Sequence, residues 1–372
     1  MHRLLADSPE FAPALLAWFD AHQRDLPWRN SRDAYRIWVS EVMLQQTQVR
    51  TVIPYFERFL IQFPTVTALA EADEQTVLRH WEGLGYYRRA RHLHAAAKQL
   101  VASHPDTLPN DPAIWSDLPG VGRYILGAVL SQAFDRRLPI VEANTLRVLC
   151  RLFGYTDDPR STIGKRWLWE TAERILPMTR VGDFNQAMME LGALICSPDQ
   201  PRCDVCPVAE FCQSKRDGSQ SRIPLAASGP KIESVREIAL VIERDGEVLL
   251  TQRTEQGRWS LMWEFPRIAI EASESVDQAA ARILQDLGIT ATLVQPFLEI
   301  RHGVTRYAIH LTGWRAIYQS GEWKAGNYQA GRWLKPEQLG EFPVSVPQRK
   351  LIKHIVQGVS QGRLFPEMDA QA

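Results

Sequence analysis

The chain has 372 residues and equal numbers of basic and acidic side chains, 43 of each, so its formal net charge is zero. Its length suits two domains, each able to bury a core, and its 45% hydrophobic and 23% charged content is that of a globular protein rather than a disordered one. No apolar run approaches the ~18 residues of a membrane span, and five cysteines in so long a chain exclude a disulfide scaffold.

Near the N-terminus, Phe11–Phe19 follows Asp7, Pro9 and Glu10 and reads as an amphipathic helix, not a secretion signal. A cytoplasmic location is expected, beside the nucleoid if the source is bacterial. Residues 1–215 then read as mainly helical. Apolar positions recur at helical spacing through Tyr35–Leu60, Gln75–Trp81, Ala90–Val101, Tyr124–Phe134, Thr145–Phe153, Arg166–Leu176 and Phe184–Ile195, punctuated by Gly and Pro. Residues 216–235 have little periodicity and read as a linker. From 236 to 358 the pattern is α+β. Ile238–Glu243 and Glu247–Gln252 flank the turn signal Asp245-Gly246, Gln278–Leu287 is helical up to Gly288, and Thr290–Ile300, Thr305–Trp314 and Arg332–Leu334 read as strands. Residues 359–372 read as a tail. No internal repeat or coiled-coil pattern is present, and a monomer is expected.

Three groups of residues carry chemistry. Cys196, Cys203, Cys206 and Cys212 follow the last helical segment with the spacing C-x6-C-x2-C-x5-C, so four thiolates can converge on one metal centre, iron–sulfur or zinc. Only one C-x-x-C pair is present, whereas zinc ribbons use two. Cys150 lies in an apolar helix and reads as core. Leu118-Pro119-Gly120-Val121-Gly122-Arg123 joins two short helices. Its glycines allow close backbone approach, and the following helix offers free N–H groups, which suits a DNA phosphate, although an ordinary glycine turn has the same composition. Glu41 has Ile37, Trp38, Leu44 and Gln45 as helical neighbours, a setting that desolvates a carboxyl and raises its pKa toward that of a general acid. The run Gln45–Gln48 suggests a polar pocket beside it. Glu142, before the helix Thr145–Phe153, is a second carboxylate, readable otherwise as a helix N-terminal charge.

Together with Leu26-Pro27-Trp28-Arg29, Trp38–Val49, Gly83-Leu84-Gly85-Tyr86-Tyr87, Phe184–Cys196 and Trp263-Glu264-Phe265-Pro266, these motifs resemble the MutY family of adenine DNA glycosylases, in the helix–hairpin–helix, endonuclease III-like superfamily. The resemblance covers most of the chain. It implies a mainly α glycosylase domain with an iron–sulfur loop at 196–212 and one [4Fe–4S] cluster, followed by a nudix-like domain that reads 8-oxoguanine. The substrate implied is double-stranded DNA with adenine opposite 8-oxoguanine or guanine.

Position by position, the resemblance implies that Glu41 is the acid protonating adenine and that Glu142, with Asn144 beside it, stabilises the sugar cation. It places Tyr124 where relatives with lyase activity carry a Schiff-base lysine, so strand cleavage by that route is not expected. Arg24, Trp28, Leu44 and Gln186 match the wall of the adenine pocket. Gln46 and Tyr86 match residues that enter the base stack, Leu84 of the matched segment 83–87 is expected among the substrate-binding residues, and Gly120, Val121 and Gly122 match the phosphate-binding hairpin. The nudix metal-binding acids are mostly missing from Ala281–Gly288, so nucleotide hydrolysis is not expected.

Two departures stand out. Glu142-Ala143-Asn144 replaces the usual Asp-Gly-Asn, adding roughly 1.5 Å of reach. Val304-Thr305-Arg306 replaces Phe-Ser-His in the lesion-reading loop; Thr305 keeps the hydroxyl and Arg306 can donate to a guanine edge or a phosphate. A glycosylase of the same fold with another target base, and a non-catalytic mismatch- or redox-sensing DNA binder, are the alternative readings.

The neutral total also hides local charge. Residues 79–98 carry Arg79, Arg88, Arg89, Arg91 and Lys98 against Glu82 alone, and residues 301–350 carry eight basic residues against three acidic ones. Both segments are expected to face DNA phosphates.

Overall fold

The structure is a computed structural model that describes residues 8–105, 107–226, 229 and 232–360. The chain folds as two compact units, one comprising Met1–Glu71 with His92–Ser228, the other Ala72–Arg91 with Gly229–Ala372. The segment holding Leu84 and Tyr86 thus belongs with the C-terminal sheet, not with the helices that flank it in sequence. The tail beyond 360 and part of the Ser228–Pro230 stretch lie outside the described residues.

In the first unit the helices are α1 (Phe11–His22), α2 (Ala34–Leu44), α3 (Val49–Gln62), α4 (Val66–Glu71), most of α6 (Arg88–Ser103), α7 (Pro112–Ser116), α8 (Arg123–Phe134), α9 (Ala143–Phe153), α10 (Thr162–Arg174), α11 (Val181–Leu194) and α12 (Gln213–Asp217). α8 is the central element, with seven of its residues buried and α2 and α11 packed on it. Close packing depends on missing side chains. A Cβ on Gly127 would lie 2.3 Å from the Pro139 carbonyl oxygen, and one on Gly182 2.4 Å from that of Ser131.

The run Tyr35–Leu60 is two helices rather than one. Asp33 caps α2 through the amides of Tyr35 and Arg36, and α2 stops where the apolar pattern gives way to Gln45-Gln46-Thr47-Gln48, with Gln46 in the left-handed region at φ 58°. The unperiodic stretch after 212 is partly structured. It contains α12, and Ile223 enters the apolar core formed by α1, α9, α10 and α11, its carbonyl accepting from Arg151 Nε at 2.8 Å.

The second unit holds α5 (Glu74–Trp81) and a seven-stranded sheet in the order β3-β2-β1-β6-β5, with β4 on β1 and β7 on β2. Its strands are β1 (Glu233–Arg244), β2 (Glu247–Arg253), β3 (Trp263–Glu264), β4 (Arg267–Ala269), β5 (Ile289–Val304), β6 (Tyr307–Gly321) and β7 (Tyr328–Leu334), with α13 (Val276–Leu287) and α14 (Val346–Ser360) completing the unit. β1 runs parallel to β6, and the other pairs are antiparallel. Alternation along β1 divides the core: Ile238, Leu240 and Ile242 pack with α13, whereas Ala239 and Val241 pack with α14. Asp245 and Gly246, both at positive φ, turn β1 into β2 as expected. Thr305 does not begin a strand. With φ 53° it forms, with Arg306, the two-residue turn between β5 and β6, where Val304 pairs with Tyr307.

Candidate active site in the helical unit

Glu41 is the centre of the first unit. It lies on the inner face of α2 among the buried Ile37, Trp38 and Val42, and is only 2% exposed. Its two oxygens are held by α8: Tyr124 Oη donates to Oε2 at 2.5 Å and Gln132 Nε2 donates to Oε1 at 2.8 Å. These polar partners come from α8, not from the Gln45–Gln48 run. Burial pushes the Glu41 pKa above the ordinary value, and the Tyr124 and Gln132 hydrogen bonds pull against it. The Glu142 charge adds a further upward push. Burial also drives the Tyr124 phenol well up, so it remains a protonated donor.

Glu142 is the N-cap of α9. Its Oε2 accepts from the Asn144 amide and its Oε1 from the Thr145 amide, both at 2.8 Å, while the Glu142 amide donates to Thr145 Oγ1. Glu142 therefore is a helix N-terminal charge, and that charge is felt at Glu41. Burial pushes its pKa up, opposed by the two amides and by Arg147. Both oxygens of the longer side chain are thus engaged by its own helix terminus. Asn144 is fixed by Arg147, which donates to its Oδ1 at 2.9 Å, and by Gly192, where a Cβ would lie 2.6 Å from that of Asn144.

The expected base-pocket residues divide by role. Trp28 is buried edge-on against Phe56, while Leu44 at the end of α2 is half-buried. Arg24 is occupied by Glu190, to which it donates from Nε at 2.8 Å and from a terminal nitrogen at 2.7 Å. Arg29 reaches the same carboxylate at 3.0 Å and donates to Gln186 Oε1 at 3.0 Å. Glu190, fully buried, is held ionised by these guanidinium groups against the cost of its burial, its pKa pulled down to about 2. Sequence reasoning missed Glu190, Arg29 and Gln132. Glu190 could have been found as the residue one turn beyond Gln186 on the same face of α11.

The hairpin Leu118–Gly122 joins α7 to α8. Gly120 has φ 77°, and a Cβ there would sit 2.6 Å from His92 Cβ. Gly122 is the N-cap of α8 and supplies no capping side chain, while Val121 is buried. The first amides of α8 are thus available to an anion. Arg123 stacks on Trp169 at 4.1 Å.

Cys196, Cys203, Cys206 and Cys212 line one largely apolar pocket with Val148, Leu191, Ile195, Arg151, Lys215 and Gln220. Arg151 donates to Cys196 Sγ at 3.5 Å and Gln220 to Cys203 Sγ at 3.7 Å. Burial, with the neighbouring thiols adding to it, pushes Cys206 up to about 11. Among the described residues no three His, Cys, Asp or Glu side chains close around a single ion.

In the second unit Tyr86 is half exposed at φ 48°, directly after Gly85, which like Gly83 has positive φ, whereas Leu84 between the two glycines is buried. Thr305 and Arg306 are exposed at their turn, where Thr305 Oγ1 donates to the Val304 carbonyl and Arg306 stacks on Tyr307. The basic strip at 79–98 is partly committed elsewhere. Arg89 donates to the carbonyls of Leu84 and Gly85, burial lowering its pKa to about 10, and Arg91 pairs with Glu74.

Fold and site define a base-excision glycosylase of helix–hairpin–helix type with an added nudix domain. The family described as HhH-GPD superfamily base excision DNA repair protein matches residues 39–174, and the NUDIX domain matches residues 238–354. The chain is 33% identical to the adenine DNA glycosylase of Rattus norvegicus, over 94% of this chain and 78% of the relative. It is also 33% identical to that of Homo sapiens, over 97% and 77%. Among solved structures, a thermostable thymine-DNA glycosylase is similar to it with TM-score 0.51 and 28% identity, covering 56% of this chain and 96% of that one. The chain belongs to the adenine DNA glycosylase family. No helix of the described residues is long and apolar enough to cross a membrane.

Because Glu190 titrates near 2 when folded and near 4.5 when unfolded, its ion pairs stabilise the native state fully above pH 4.5, and that contribution is lost as pH falls toward 2. The full shift corresponds to roughly 3 kcal/mol. Glu190→Gln is expected to lower stability by about that amount at pH 7 and to flatten the acid limb between pH 4.5 and 2, read by denaturant unfolding across pH. An unchanged acid limb contradicts the assignment.

Proposed function

We propose that this adenine DNA glycosylase removes adenine paired with 8-oxoguanine, or with guanine, from duplex DNA by hydrolysis and without strand cleavage. The observation that carries the reading is the buried Glu41 carboxyl held between Tyr124 and Gln132. With its pKa raised by burial, Glu41 can enter the reaction protonated. It donates its proton to N7 of the extruded adenine, so the C1′–N9 electron pair leaves with a neutral base. Glu142, its two oxygens held by backbone amides and its charge favoured by Arg147 against the upward push of burial, is the ionised member of the pair and faces the developing sugar cation as a carboxylate. Water then adds at C1′ and gives up its proton to a carboxylate, leaving an abasic site. Tyr124 offers no amine for a Schiff base, which supports a hydrolase without lyase chemistry.

Trp28, Leu44, Gln186 and the Arg24–Glu190–Arg29 group form the base pocket. Gln46 and Tyr86, both exposed residues at positive φ, enter the stack as the base turns out. Gly120, Val121 and Gly122 position a phosphate, and Asn144 supports the Glu142 turn. Thr305 and Arg306 read the 8-oxoguanine strand. The DNA substrate places the enzyme with the genome, in the cytoplasm beside the nucleoid in a bacterium.

The cysteine pocket fits a [4Fe–4S] cluster held by Cys196, Cys203, Cys206 and Cys212, because such a cluster keeps its four thiolates further apart than a single ion would. When bound it supplies a redox-capable, charge-neutralising anchor for the loop. Purified protein is then expected to contain four irons and four labile sulfides per chain, measured by elemental and sulfide assay. One zinc and no sulfide contradicts this.

Single-turnover assays on adenine·8-oxoguanine and adenine·guanine duplexes, with alkali to reveal abasic sites, test the activity. Product with both duplexes, faster opposite 8-oxoguanine, is expected. Glu41→Gln and Glu142→Gln should each lower the rate by about 10²-fold or more. The wild-type rate should fall as pH rises through the raised Glu41 pKa, because the proton to be donated is lost. Strand breaks without alkali, or an unimpaired Glu41→Gln variant, contradict the mechanism.

A further inference from the structure

The loop that carries Tyr86 is fastened to the rest of the sheet unit through an ion pair. Arg349, in the first turn of α14, donates from Nε to Glu82 Oε1 at 2.6 Å and from a terminal nitrogen to Oε2 at 2.7 Å, with side chains 20% and 15% exposed. The pair is tied on both sides. The Val344 amide donates to Glu82 Oε2 at 3.3 Å, and Arg349 donates to the carbonyls of Phe342 and Leu339. Tyr87 Oη donates to the Val344 carbonyl at 3.4 Å and accepts from the Gly83 amide. Trp81 Nε1 and Arg89 both donate to the Gly85 carbonyl, which fixes the glycine turn beneath Tyr86.

The other end of the connection is α14. Its Leu351, Ile352 and Ile355 are buried in one core with Phe297, Ile300, Ile309 and Leu311 of β5 and β6. The approach is close: a Cβ on Gly313 of β6 would lie 2.6 Å from Leu351 Cδ2. Val304 and Tyr307, which flank the Thr305-Arg306 turn, pack against that same core. A contiguous series of packed groups therefore runs from the exposed hairpin turn through α14 to Arg349, Glu82 and the Tyr86 loop. A bidentate guanidinium–carboxylate pair fixes orientation as well as distance, as a single flexible contact does not.

We infer that Glu82 and Arg349 are positioning residues that couple reading of the opposite base by the Thr305-Arg306 turn to insertion of Tyr86, so that recognition of 8-oxoguanine accelerates extrusion of adenine. The inference rests on the roles proposed above for Tyr86, Thr305 and Arg306. Neither Glu82 nor Arg349 acts on the base or the sugar. Their effect is on discrimination between opposite bases.

The test compares wild type, Glu82→Gln, Arg349→Gln and the double Gln variant in single-turnover excision of adenine opposite 8-oxoguanine and opposite guanine. The double variant leaves no unpaired buried charge, which guards against simple loss of folding, and thermal melting checks each protein. Each single variant is expected to lose about tenfold or more of the rate opposite 8-oxoguanine while staying within about twofold of wild type opposite guanine. The double variant should lose no more than the singles, because the two side chains act as one unit. A wild-type ratio in all variants, or a parallel fall on both duplexes, overturns the coupling alone. A wild-type chain with equal rates on the two duplexes overturns lesion reading and with it the coupling, and one that excises no adenine overturns the activity itself.

Discussion

A carboxyl group with no access to water, held from both sides by donors of one helix, is the constraint around which the helical unit is built. Glu41 can be buried only because α8 presents Tyr124 and Gln132 to its two oxygens, and α8 can come that close to its neighbours only because Gly127 and Gly182 carry no side chain at the contacts. The competition between desolvation and hydrogen bonding sets the proton affinity of Glu41. Tyr124 is part of that balance, since it must donate to a carboxylate or accept from a carboxyl. The second carboxylate is secured by different means. Glu142 is locked to its own helix terminus, which orients both oxygens without any partner from α2.

The proposed base pocket repeats the pattern of a buried acid that organises its surroundings, with the opposite electrostatic outcome. Glu190 is as deeply buried as Glu41, but it meets two guanidinium groups and stays ionised, whereas Glu41 meets only neutral donors and is pushed toward the protonated form. One carboxyl is thereby available as an acid and the other as a permanent anchor for Arg24 and Arg29. In the sheet unit a third acid, Glu82, does for the Tyr86 loop what Glu190 does for the pocket: it fixes an arginine that ties distant elements together.

Much of this was legible in the residues. Helical and strand periodicity placed most elements, Asp245-Gly246 marked a turn that forms, and the environment of Glu41 was read from its helical neighbours. Other features depended on contacts far apart in the chain. The partners of Glu41 lie 83 and 91 residues away, and the anchor of Arg24 lies 166 residues away. The break after Leu44 was missed because a polar run still fits a helical spacing when its left-handed residue is a glutamine. Thr305 was misread as strand because a β-branched residue seldom occupies a positive-φ turn position. The association of Ala72–Arg91 with the sheet has no local signal, since it rests on contacts such as those of Arg91 with Ser260 and of Glu82 with Arg349, 169 and 267 positions away. Leu84, matched to a DNA-facing role by motif, is buried instead.

The central claim is that Glu41 holds a proton under conditions where an ordinary glutamate has lost it. The most direct measurement is the infrared difference spectrum between wild type and Glu41→Gln, followed as a function of pH. The account predicts a protonated carboxyl stretch that is lost on mutation and that persists above pH 4.5, the ordinary value for the group. Loss of that band at or below pH 4.5 would contradict it.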